Sequence, residues 1–158
     1  MRDEESSSTF KTVNRGLLFR VAFVITRIIG RTMNAERDRR REEMVRRTKQ
    51  FALAIIRLYS SLPRSAVSQV LGRQVMRSGT SVGAHYREAC RAKSRADFIS
   101  KIEGALQELD ETTYWLDLLH DIYEEKSAQA QNLTREANEL ISIFVTVTKA
   151  VKALPASK

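Results

Sequence analysis

Side chains capable of chemistry are sparse in this 158-residue chain. His85 and Glu88 stand three apart, which places an imidazole and a carboxylate on one face of a helix. Metal sites in helical bundles need Glu-x-x-His pairs on two helices plus further glutamates. Here the order is reversed, and the only other histidine, His120, is remote in sequence. Cys90 is the single cysteine, so an intramolecular disulfide is excluded; a reducing, cytoplasmic setting and an inert thiol are expected. Gly72, Gly79, Gly83 and Gly104 are isolated glycines in helical context and form no phosphate loop. With no Ser-His-Asp or Cys-His arrangement either, the expectation is a protein that is not an enzyme and holds neither metal nor cofactor.

The remaining polar chemistry is charge. The chain carries 27 Lys/Arg against 19 Asp/Glu, a net of +8, which suits an anionic partner. The charges are segregated: residues 51–101 hold nine basic and two acidic side chains, residues 102–148 two basic and ten acidic.

Four amphipathic segments must position these charges. Met44, Thr48, Phe51, Ile55, Leu58 and Leu62 follow a heptad that Pro63 stops, because proline disfavours helical geometry in the residue before it. A second seam runs through Val67, Val70, Leu71, Val75, Ser78 and Val82 to about Ala89 or Cys90. Gly79 and Gly83 cost this helix roughly 1 kcal/mol each relative to alanine, so close packing is expected to offset them. Ser94 is a natural N-cap for the third helix, with Asp97 three residues on. That helix shows the strictest period, from Phe98, Ile102, Ala105 and Leu109 through Thr112, Leu116, Leu119 and Tyr123. After a connection at residues 124–127, Leu133, Ala137, Leu140, Phe144, Val147, Val151 and Leu154 make a fourth seam, ended by Pro155. The fold expected is all-α: an antiparallel up-down-up-down four-helix bundle over residues 43–155, with an N-terminal basic and apolar extension, residues 1–42.

In that extension, residues 1–16 are polar and read as disordered. Residues 17–29 are apolar apart from Thr26, Arg20 and Arg27, and thirteen residues fall short of the roughly 20 that span a bilayer. They read as an accessory helix, or as sequence upstream of a start at Met33 or Met44, and no membrane partner is expected. The charged residues 34–49 read as a helical lead-in.

The bundle topology brings the start of the first helix, the end of the second, the start of the third and the end of the fourth to one pole. The residues expected to meet a nucleic-acid backbone there are Arg39, Arg40, Arg41, Arg46 and Arg47, then Arg87, Arg91, Lys93 and Arg95. The opposite pole collects Asp117, Asp121, Glu124, Glu125 and Glu136. No helix-turn-helix turn, zinc-ligand spacing or interleaved aromatic platform points to base reading, so contact would be electrostatic and salt-dependent. Arg77, Glu88, Glu108 and Trp115 are expected at a subunit interface or in structural polar pairs. A second reading is a scaffold that closes a ring without nucleic acid, the acidic third-helix surface of one copy meeting the basic second-helix surface of the next.

The run RSGTSVGAHYREACRAKSRADF, residues 77–98, followed by QELDETTYWLDLL, residues 107–119, resembles the four-helix bundle proteins encoded within intervening sequences of bacterial large-subunit ribosomal RNA genes. Arg77, Ser78, Ser81, Ala84, Arg87 and Glu88 match, as do Arg91, Ser94, Asp97 and Phe98, and the likeness extends over about residues 51–154. The family usually has asparagine at the position of His85. The resemblance implies a small cytoplasmic bundle that assembles into a homopentameric ring and has no assigned enzymatic activity. A related branch is the accessory variability determinant of diversity-generating retroelements, which implies RNA or DNA binding beside a reverse transcriptase.

Overall fold

The computed structural model describes residues 34–155; the polar start and the apolar segment expected at residues 17–29 lie outside the described residues. The chain forms two compact units, Met1–Glu42 and Glu43–Lys158. In the first unit, residues 34–42 are helical, and Glu36 accepts hydrogen bonds from both Arg39 and Arg40.

The second unit is the expected antiparallel four-helix bundle. Helix α1 covers residues 43–60, α2 Ala66–Ala89, α3 Arg95–Ile122 and α4 Glu124–Lys152. Turn bonds from Ser61 to Leu58 and from Leu62 to Tyr59 wind α1 down just before Pro63. Ser65 then caps α2, its hydroxyl accepting from the Ser68 amide at 3.1 Å. Ser94 caps α3 in the same way, while Asp97 reaches back to the Lys93 amide at 3.1 Å.

Each helix has two neighbours. Gly72 and Gly79 of α2 sit against Tyr59 and Ile55 of α1, and Ser78 of α2 accepts a 2.9 Å hydrogen bond from Thr112 of α3. Helix α4 packs on α3 and is tied back to α1 through Arg47 and Glu136. The core is made by the expected seams: Ile55, Leu58, Leu109, Leu116, Leu119 and Leu140 are fully buried, each contributing about 1.5–3 kcal/mol on removal from water.

Three local expectations change. Leu154, expected in the fourth seam, is 56% exposed because α4 ends before it, at Lys152. On α2, Val67 and Val70 are about half exposed, and the inward positions are Ser68, Gly72, Val75, Ser78, Gly79 and Val82. Small residues face inward because α1 comes close: a Cβ on Gly72 would lie 2.6 Å from the Tyr59 ring. The connection expected at residues 124–127 is helical instead. Tyr123 alone, extended at φ −121° and ψ 91°, separates α3 from α4. Glu124 and Glu125 then form the acidic first turn that the helix dipole favours. The Tyr123 hydroxyl lies 2.7 Å from the Ser68 hydroxyl, which fixes this one-residue link to the start of α2.

Candidate nucleic-acid interface and charged faces

One end of the bundle gathers the start of α1, the α2–α3 turn and the end of α4. Hydrogen bonding divides its cations into two sets. Arg47 is half-buried and donates at 2.7 Å to Glu136, which was expected at the opposite pole, and also to Glu139, so its charge is neutralised across the α1–α4 seam. These bonds raise the Arg47 pKa further above its ordinary value. Arg95 donates to the Leu154 carbonyl at 2.6 Å and to that of Pro155, closing the C-terminal end of α4. Lys152 pairs with Glu103 at 2.7 Å. By contrast Arg46, Arg87, Arg91 and Lys93 are exposed, and their side chains have no acidic partner among the described residues. Arg39, Arg40 and Arg41 belong to the separate N-terminal unit.

At the start of α3 the Ser94 hydroxyl accepts from the Asp97 amide, and the Asp97 carboxylate accepts from the turn amide of Lys93.

The α2–α3 seam holds the expected structural polar residues. Arg77 donates to Glu111 and lies 3.7 Å from Glu108. Trp115 donates to the same Glu111 oxygen acceptor at 3.1 Å. The Arg77 bond, followed by that of Trp115, holds the Glu111 carboxyl below its ordinary pKa. The second oxygen of Glu108 is buried without a hydrogen-bond partner. Glu88 pairs with Lys101 at 2.8 Å rather than with an arginine, which lowers its pKa. His85 is 3.8 Å from Glu88 and rests on Gly104, where a Cβ would lie 3.2 Å from the ring.

The bundle is polarised from side to side as well as end to end. Along the outer surface of α2, positions 73, 77, 80, 84 and 87 repeat at helical spacing and carry three arginines around Thr80 and Ala84, with Arg91 in the turn that follows. Along α3, positions 103, 107, 110, 114, 117 and 121 repeat identically and carry four carboxylates around Tyr114, which is 57% exposed. Sequence reasoning placed acidic charge at the far pole and, in the scaffold reading, along the third-helix surface. Asp110 and Tyr114 on the flank were legible only as the outward half of the same heptad that sets the core.

A sequence model of the 23S rRNA-intervening sequence protein family matches residues 40–146. No curated protein matches the chain. Among solved structures, a protein of unknown function from the S23 ribosomal protein family of Bacteroides thetaiotaomicron is 36% identical, with a TM-score of 0.64. The match covers 69% of this chain and 97% of that one.

Proposed function

The chain belongs to the 23S rRNA-intervening sequence protein family, and we propose that it is a non-enzymatic, self-associating bundle whose basic end binds the phosphate backbone of RNA or DNA. The observation that carries this reading is the set of exposed, uncompensated cations at that end, Arg46, Arg87, Arg91 and Lys93. A ring of copies standing side by side, five by the family resemblance, would add these ends into one positive surface. In a reducing cytoplasm, where Cys90 stays a free thiol, such a surface would serve a nucleic-acid-processing enzyme such as a reverse transcriptase by holding its template.

The test is fluorescence anisotropy of a labelled RNA hairpin titrated with the protein across a salt series. Each backbone contact contributes about −0.9 to the slope of log K against log salt on a duplex. Arg46→Gln and Lys93→Gln should each flatten the slope by about that amount. Arg95→Gln should leave it nearly unchanged, since that guanidinium already serves the α4 carbonyls. Equal slopes in wild type and all three variants would refute backbone binding at this end.

A further inference from the structure

The flank charges point to a use separate from the basic end. Residues 43–89, which make α1 and α2, expose Arg57, Arg64 and Arg73 away from the basic end, without an acidic partner among the described residues. Helices α3 and α4 expose Asp110, Asp117, Glu124 and Glu125, likewise without a basic partner. Because each helix packs on its sequence neighbours and α4 returns to α1, the α1–α2 face and the α3–α4 face lie on opposite flanks of the bundle. One flank is therefore the electrostatic complement of the other on the same molecule.

We propose that the occupant of the acidic α3–α4 flank is the basic α1–α2 flank of a second copy of this chain, joined along an α2–α3 seam between copies. The inference rests on the proposed self-association but not on nucleic-acid binding, and it assigns the faces that meet. Copies related by rotation about an axis parallel to the bundle stand at equal height, so α2 of one runs antiparallel to α3 of the next. Within the chain, Arg77 is level with Glu111 and Ser78 with Thr112. At that same level between copies, Arg73 faces Asp117 and Thr80 faces Asp110. Tyr114, protruding at the middle of the acidic stripe, meets Arg77, about one turn from the smaller Thr80. The contact is heterologous, each copy giving one flank and receiving the other, so it can propagate around a closed ring. It also explains why an exposed tyrosine stands among carboxylates far from the basic end.

Charge exchange at one pair tests the seam, read by light scattering after size exclusion at about 100 mM salt. Arg73 and Asp117 are both exposed, both outside the basic end, and neither has an ionic partner within the chain. Wild type should run as a multiple of 18.0 kDa. Asp117→Arg alone and Arg73→Asp alone should each weaken association by at least about tenfold, and the double exchange should restore it to within about threefold. Tyr114→Asp should dissociate the assembly as well, with unchanged helical circular dichroism in every variant as the fold control. A monomeric wild type, single variants that assemble like wild type, or a double exchange that fails to recover would each overturn the seam. Retention of RNA is read separately with Lys93→Gln, so a failed seam and a failed backbone contact give different results.

Discussion

Two glycines four residues apart on α2 should respond to alanine with opposite signs. In an isolated helix both substitutions gain about 1 kcal/mol from helix propensity. The surroundings differ. A Cβ at Gly79 would lie 2.8, 3.1 and 3.2 Å from the Cγ1, Cγ2 and Cδ1 atoms of Ile55, a side chain with no exposed surface. Those atoms surround the new methyl and have no free space to swing into, so α1 and α2 must separate locally. Overpacking of this kind costs typically about 1–3 kcal/mol, which exceeds the propensity gain. A Cβ at Gly83 would meet Thr48 at 3.6–3.7 Å, an ordinary van der Waals contact, and the propensity gain survives.

Gly79→Ala should therefore destabilise the bundle by about 1 kcal/mol net, and Gly83→Ala should stabilise it by about 0.5–1 kcal/mol. The separation, about 1.5–2 kcal/mol, corresponds to a gap of roughly 3–8 °C between the two midpoints for a chain of this length. Thermal and urea unfolding at one protein concentration measure it, since association would move both midpoints together. If both alanines stabilise equally, the close approach of α1 to α2 at Ile55 is wrong, and with it the reason small residues face inward on α2.

Tyr123→Phe removes the hydroxyl that lies 2.7 Å from Ser68 and should cost about 1 kcal/mol in urea unfolding without loss of helicity. Ser68→Ala combined with it should cost less than the sum of the two single changes, because they share the Ser68–Tyr123 bond and only the Ser65–Ser68 bond is lost in addition. Glu111 is held below its ordinary value of 4.5 by Arg77 and Trp115, so its contribution is fully present above that value and is lost as pH falls through the lowered one. Glu111→Gln should consequently shrink the drop in thermal midpoint between about pH 5 and pH 3, and an unchanged drop would refute the pairing.

The sequence carried the helices and the core because both obey one period. The third seam, from Ile102 to Leu119, is buried at every expected position, and the Ser94–Asp97 cap forms as its residue types require. Val67 and Val70 misled because valine is apolar and correctly spaced, while the helix turns Gly72 toward Tyr59 and Leu62 and Ser68 toward Tyr123. Nothing local distinguishes these two faces; the choice is made by how near α1 approaches. The fate of Arg47 and Arg95 was similarly hidden. Their partners are 89 and 59 residues away, so a list of arginines at one end overstated the cations available to a ligand.

Net charge alone is a weak argument for nucleic-acid binding by this bundle. Residues 43–158 hold 17 Lys/Arg and 13 Asp/Glu, a surplus of only four. What distinguishes the molecule is placement: cations left unpaired at one end and along one flank, carboxylates left unpaired along the other. Both kinds of surface would weaken with salt, the end by counterion uptake on the nucleic acid and the flanks by screening between copies. A salt titration therefore confounds the two, whereas geometry separates them. Lys93 lies in the turn at the basic end and Arg73 lies three helical turns or more below it on the flank of α2. If the end binds backbone and the flanks join copies, neutralising Lys93 flattens the RNA salt slope and leaves the assembly intact, while reversing Arg73 dissociates the assembly until Asp117 is reversed with it.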